Sequence, residues 1–309
     1  MAISDIKNLV SCGSGDVLGT GTKGCAPFFK KVVAAWLLPQ GTEFDDAETL
    51  NLAYVQQLQA TNGMIVLNGI QAFVDNTGDD VTEELEGGTK VYIRGAKYEF
   101  SMDFINGLAY HAALHSISSY NSYDAVLVDR EGNLFGTTSQ TGKFKGFTIG
   151  MLQASKLKFG DDTTQQREQI MMQLLNRNEV DSKYIFIDSS QVEDGFDATA
   201  VDGVNEVVLS YTAAPANTDT SLLVKAVRKQ DGKPVEGLVF GDFTFIANGA
   251  TSNPSGATEP TAGNYDLTVA SVSTNDVISL SIYDVGNNNP VIDKTSVLYK
   301  SNTLVATVV

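Results

Sequence analysis

Cysteine and histidine are nearly absent from this sequence: of 309 residues, two are Cys and two are His. The two thiols, Cys12 and Cys25, are too few for a disulfide scaffold. In a reducing cytoplasm they are expected to be idle thiols, with a Cys12–Cys25 bridge as the alternative under oxidation. With so few imidazoles, general acid–base chemistry would have to rest on carboxylates. Basic residues are also scarce, 21 Lys and Arg against 37 Asp and Glu, for a net charge of −16. That balance argues against sequence-independent binding to nucleic acid, which needs cations to displace the counterions of phosphates. An acidic surface beside DNA would instead be a wall that does not hold it. Long apolar runs are missing as well. The longest, Val32 to Leu38, is far too short to span a bilayer. The start, MAISDIKNLVSCGSGD, has neither the basic region nor the apolar core of a secretion signal. These absences predict a soluble chain, folded in a cytoplasm, with no membrane partner.

What is present is a strand-rich pattern. Hydrophobic residues make up 42%, ample for packed cores, and the length predicts about two domains. From Val204 onward short runs recur: VVLSYTAA, LLVKAVRK, FTFIANG, NYDLTVAS, VISLSIYD and SVLYKSN. Turn-rich pieces such as QDGKP, NGATSNPSG, EPTAGN and VGNNNP divide them. Short strands with turn signals about every eight to twelve residues predict a small sandwich. Between residues 190 and 205 the periodicity is lost and Ser, Asp and Gly accumulate. We therefore place a first domain at 1–195, a linker at 196–204 and a second domain at 205–309.

In the first domain VVAAWLLP (32–39), GMIVLNGIQAFVDN (63–76), GFTIGMLQASKLKF (146–159) and KYIFID (183–188) read as strands. KVYIRGAKYEFSMDF (90–104) carries Val91, Ile93, Tyr98, Phe100 and Met102 at strand spacing, interrupted at Gly95. YDAVLVDREGNLFGTT (123–138) reads as a hairpin, with Gly132 and Asn133 supplied where φ turns positive. Two helices are expected. One runs Asp46 to Ala60, with Asp46 and Glu48 in its first turn and Leu50, Tyr54 and Leu58 on one face. The other runs Phe104 to Ile117, with Phe104, Leu108, Ala112 and His115 on one stripe. Residues 165–176 permit a helix but read better as a strand. The expected fold is mainly β: a β domain with one or two flanking helices, followed by a β-sandwich.

Candidate chemistry is sparse. His111 and His115 in HAALH share one helix face, a spacing that can hold zinc. The zinc-protease pattern also needs Glu after the first His, and Ala112 stands there. The plainer reading is two polar side chains at a helix margin or subunit contact. The Gly-rich CGSGDVLGTGTKGC fails both phosphate-loop patterns: Lys23 precedes Gly24, and Leu18 stands where the dinucleotide fingerprint needs Gly. It reads as an extended arm ordered by neighbours. Asp75, Asp79, Asp80, Glu83, Glu84 and Glu86 form an acidic stretch without the ligand spacing of a calcium loop. It reads as a solvated loop between strands, or as a channel lining if copies assemble around a channel. No cofactor and no catalytic residue are expected.

Several segments, in order, resemble virion structural proteins of tailed phages, especially those of Bacteroidetes hosts. They are CGSGDVLGTGTKGC, WLLPQGTEF, AETLNLAYVQQLQ, IVLNGIQAF, KYEFSMDFINGLAYHAALHSI, YDAVLVDREGNLFGTT and KGFTIGMLQASKLKFGDDTTQQREQIMMQLL, covering residues 1 to about 190. LLVKAVRKQDGKPVEGLVFGDFTF and AGNYDLTV, within 222–270, are similar to bacterial Ig-like domains. Among phage proteins the order looks most like a tail tube subunit with a carboxy-terminal Ig-like domain. That resemblance implies a sandwich or barrel core with a flanking helix, forming rings, hexameric in expectation, that stack into a DNA-conducting channel. It also implies a long inter-ring hairpin, for which residues 75–95 are the candidate. Implied partners are further copies, other phage tail or head proteins, DNA passing without specific binding, and host surface glycans at the Ig-like domain. The implied location is the virion, assembled in the host bacterial cytoplasm. The alternatives are a head protein, either shell or decoration, a surface adhesin or carbohydrate-binding module, and a zinc hydrolase built on His111 and His115.

Overall fold

A computed structural model describes residues 3 and 29–309 of the chain. The Gly-rich arm, with Cys12 and Cys25, lies outside the described residues. The chain is mainly β and divides into two compact units. The first ends at Val201; the second takes Asp202–Val309 together with Val55–Thr61. No helix among the described residues is long and apolar enough to cross a membrane.

The first unit begins with β1 (Val32–Pro39), whose apolar run is buried on both faces. Ala35 and Leu37 enter the main core, while Ala34, Trp36 and Leu38, pointing the other way, are equally inaccessible. Helix α1 (Leu52–Thr61), of which Val55–Thr61 belong to the second unit, follows in the chain, then β2 (Ile65–Asn68), β3 (Ala72–Asp75), the pair β4 (Val81–Glu84) and β5 (Lys90–Arg94), and β6 (Glu99–Phe104). After helix α2 (Leu108–Ser116) come β7 (Ser119–Tyr120), β8 (Tyr123–Asp129), β9 (Leu134–Thr138), β10 (Phe144–Lys145), β11 (Phe147–Ala154) and β12 (Glu168–Leu174). A short helix, α3 (Arg177–Asp181), precedes β13 (Tyr184–Ile187).

Strand β11 joins the two halves of this unit. Its Phe147 and Thr148 pair with Ala125 and Asp124 of β8, whereas Met151 to Ala154 pair with β12. The register shifts between Ile149 and Met151, so one strand leaves the β2-β1-β8 layer and enters the β12-β6-β3 layer. The close approach at this corner requires a glycine. A Cβ on Gly146 would stand 2.7 Å from backbone atoms of Ala125. Between the layers lie Leu67, Phe100, Met102, Phe104, Leu127, Phe147, Ile149, Leu152, Ile170 and Met172. Burying such side chains contributes about 1.5–3 kcal/mol each.

The expected β8–β9 hairpin is present, and a buried carboxylate organises its turn. Asp129 Oδ1 accepts from the amides of Glu131 (2.9 Å) and Asn133 (3.0 Å), while Oδ2 accepts from Asn133 Nδ2 (2.9 Å) and the Lys30 amide (3.0 Å). Gly132 has φ 81°, as its place in the turn requires. Asn133 is not in that region of φ; it is buried, and its side-chain oxygen accepts from the Ser189 amide. Within residues 165–176 the chain forms strand β12, Glu168–Leu174, and no helix.

Both helices differ in extent from the sequence reading. Helix α1 starts at Leu52, behind Asn51, whose side chain accepts the Tyr54 amide at 2.8 Å. Asp46 and Glu48 therefore lie in the preceding turns and not in the first helical turn, although Leu50, Tyr54 and Leu58 are buried as expected. Helix α2 starts only after Gly107 (φ 87°), because Phe104 is the last residue of β6. Its inward face is Tyr110, Leu114 and Ile117, while Leu108 is 64% exposed. The expected stripe of Phe104, Leu108, Ala112 and His115 does not form.

The second unit is a sandwich of two sheets. One has the order β18-β19-β15-β14-β22-β21, from β14 (Val204–Tyr211), β15 (Ser221–Arg228), β18 (Gly256–Thr261), β19 (Asn264–Thr268), β21 (Ile292–Lys294) and β22 (Val297–Ser301). The other has the order β17-β16-β20-β23, from β16 (Phe243–Ala247), β17 (Ala250–Thr251), β20 (Val277–Ile282) and β23 (Leu304–Thr307). Alternate residues face inward: Leu222, Val224 and Ala226 from β15 meet the same core as Phe243 and Phe245 from β16. Tyr265 pins the DGKPVEGL turn, donating to Val235 O at 2.6 Å and accepting from the Leu238 amide at 3.2 Å. All pairings here are antiparallel except β14 with β22. The segment read as a linker, 196–204, contains a short 3-10 turn at Ala198–Ala200, and Ala198 and Val201 are buried.

Replacing Asp129 with Ala leaves the Lys30, Glu131 and Asn133 amides without their acceptor. The expected cost is about 3 kcal/mol, read as a lower midpoint in denaturant unfolding monitored at the first unit.

Candidate assembly surface: an exposed hairpin and its root

The segment between β3 and β6 leaves the sheet. Every residue from 78 to 94 is exposed, including all four of β4 and all five of β5. The two strands pair only with each other, through Glu84↔Lys90, Glu83↔Val91, Thr82↔Tyr92 and, past a bulge, Val81↔Arg94. The turn is built by its glycines: Gly87 and Gly88 hold φ 103° and 81°, and Leu85 N donates to Thr89 O at 2.9 Å. Along β5 the side chains alternate between two faces. Val91 shares a face with Glu83 opposite it, while Lys90 and Tyr92 share the other with Glu84 and Thr82; the bulge at Ile93 breaks the alternation, so Arg94 falls opposite Val81. The strand pattern read in 90–104 is thus real, but it has two fates. Phe100 and Met102 reach the core, whereas Tyr92 and Ile93 stay 58% and 54% exposed.

The six acidic candidates do not form one cluster. Asp75 ends β3 and accepts the Thr77 amide at 2.9 Å; Asp79 follows in the exposed loop. Glu83, Glu84 and Glu86 ride on the hairpin itself. Asp80 sits at the root, where its Oδ1 accepts from the Ala96 amide at 2.9 Å and from Arg177 Nη1 at 2.5 Å. Among the described residues no group of three or more His, Cys, Asp or Glu is arranged to hold a metal ion. His111 and His115 lie together on α2, ring centroids 4.6 Å apart and edge to face, and His111 Nδ1 is buried without a hydrogen-bond partner.

The root holds residues that the sequence reading missed. Arg177 Nε donates to Asp181 Oδ2 at 2.7 Å, and Tyr98 Oη donates to Asp181 Oδ1 at 2.5 Å. The Ala96 amide and then Arg177 hold the Asp80 carboxyl below the usual carboxylate range. The Tyr98 hydroxyl and then Arg177 do the same for Asp181, which in turn pushes Tyr98 up to about 12. Behind the root, Lys145 Nζ lies 3.2 Å from Asp124 Oδ2, 2.8 Å from Thr148 Oγ1 and 3.7 Å from Glu179 Oε1. Asp124 is fully buried, and that burial raises its carboxyl above the usual range despite the Gly41 amide and Lys145 beside it. Ion pairs linking residues 97 and 34 positions apart leave no local signature in a sequence.

No protein-family model matches the chain, and no curated protein matches it.

The root and the buried site respond to acid with opposite signs. Asp80 and Asp181 are depressed, so their stabilisation is present above the ordinary carboxylate pKa and is lost as pH falls through the lowered values. Asp124 is raised, so its contribution to stability improves as pH falls toward its folded pKa. Protection of the Ala96 amide against hydrogen exchange is therefore expected to fall on acidification below about pH 4, while protection of the Ala125 amide beside Asp124 persists. Equal loss at both amides would contradict this assignment.

Proposed function

We propose that this chain is a structural virion protein, a tail tube subunit whose copies form rings that stack into a channel for DNA. The observation that carries the reading is the hairpin β4–β5, which projects from the first unit with Val91, Tyr92 and Ile93 bare to solvent. An isolated two-stranded ribbon is marginal in water and an open edge is a template for pairing. A chain that keeps such a ribbon is suited to have it covered by another copy. The hairpin occupies the 75–95 stretch in which the phage resemblance leads one to look for an inter-ring connector.

The net charge of −16 supports the same reading. An acidic channel repels phosphate, so DNA slides through without being held. The function is assembly and passive conduction, with no substrate turned over and no cofactor. The sandwich of the second unit is an external module in this scheme, available to host surface glycans, and the location is the virion.

Purified protein is expected to form rings or tubes in negative-stain micrographs and to sediment as an oligomer. Val91→Lys with Ile93→Lys changes only exposed positions, so the variant should keep its thermal unfolding temperature within about 2 °C while stacking is lost. Monomers at every concentration and salt would overturn the proposal, and closed icosahedral shells would move the protein to the head.

A further inference from the structure

Helix α3 places three side chains at alternating positions, and they face two different parts of the first unit. Arg177 and Asp181, one helical turn apart, reach the hairpin root at Asp80 and Tyr98. Glu179, between them, turns the other way. Its Oε2 accepts the Thr148 amide at 2.7 Å and its Oε1 accepts Thr148 Oγ1 at 2.9 Å, with Lys145 at 3.7 Å. We propose that α3 is a latch that sets the pose of the hairpin, with Arg177 as the group that engages it.

Four observations support the latch. The strands of the hairpin bury none of their residues, so no apolar packing along them fixes their direction. Both legs of the root are tied through one guanidinium: Asp80 on the way out bonds Arg177 Nη1 and the Ala96 amide, and Tyr98 on the way back bonds Asp181, which bonds Arg177 Nε. Gly95 is the slot for that guanidinium. A Cβ there would stand 2.0 Å from Arg177 Nη1, 2.9 Å from its Cζ and 2.8 Å from Tyr92 Oη. Finally, the two faces of α3 differ in access to water. Arg177 and Asp80 are 36% and 40% exposed, whereas Lys145 and Glu179 are both 12% exposed. Salt screens the exposed pair and spares the buried one. The latch therefore opens at Arg177 while α3 remains docked through Glu179, and the hairpin swings without the sheet coming apart. A carboxylate brought by a second copy would compete for Arg177 in the same way. That last consequence rests on the function proposed above; the latch itself does not.

Tryptic cleavage after Arg94 and Lys97, followed by mass spectrometry on dilute full-length protein, tests the latch without reference to assembly. Arg177→Gln removes the clasp, and Gly95→Ala displaces the guanidinium while keeping its charge. Both variants are expected to be cut at these two sites about fivefold faster than the parent at low ionic strength, with an unchanged thermal midpoint. At about 1 M NaCl the parent should rise to the rate of the variants, which themselves stay constant. Parental cleavage rates in a folded Arg177→Gln protein would overturn the latch, as would acceleration spread over the whole first unit. If Arg177→Gln fails to fold, Gly95→Ala decides alone. Micrographs of the same two variants report separately on assembly, so a latch that fails and a tube that fails are told apart.

Discussion

Strand β11 belongs to both layers of the first unit, and the arrangement of the rest follows from that. Because its first residues hydrogen-bond to β8 and its later ones to β12, the chain turns a corner without breaking the ladder. The space enclosed by the corner is filled by side chains from both layers, Leu127 and Phe147 from one side and Met102, Ile170 and Met172 from the other. The corner tolerates no Cβ at Gly146, where backbone meets backbone. Beside the corner, on β11 itself, Thr148 offers its amide and hydroxyl to Glu179. The joint that closes the core is therefore also the anchor of α3, and through α3 of the hairpin root.

This places two kinds of stability next to each other. The layers are held by buried apolar surface, which carries no charge for salt to screen. The hairpin is held by exposed carboxylates and a guanidinium, which salt does screen. Asp124 and Lys145 stand at the boundary, a charged pair inside the apolar body, and Asp124 Oδ1 has no hydrogen-bond partner. A buried pair of this sort contributes little net stability yet is costly to break. It suits a position that must be kept in one geometry.

How much of this was legible in the sequence depended on the range of the interaction. β-branched and aromatic composition located most strands of the first unit, and period-two alternation those of the second, since both are local properties of the chain. Burial was legible only where the partner layer existed. Val91 and Ile93 have the same spacing as Phe100 and Met102, and only the second pair has anything to pack against. Helix α2 was read one face out because Phe104 fits a helical stripe as well as the end of a strand, and Gly107 decided between them. The acidic stretch was visible as charge, but the distinct role of Asp80 was not, because Arg177 lies 97 residues further on. The histidine pair was placed correctly on one helix face, and the fold brings no third ligand from the described residues.

The parallel pairing of β14 with β22 carries a consequence for biosynthesis. Val204 and Leu298 are register partners, so the first strand of the second unit is translated some ninety residues before its neighbour. During that interval one border of β14 is open, with Val207 and Leu209 not yet roofed by the finished sandwich. Long-range closure of this kind is slow and leaves the nascent chain vulnerable to its own sticky edge. A chaperone that shields emerging chains would meet this unit at the stage between β15 and β22.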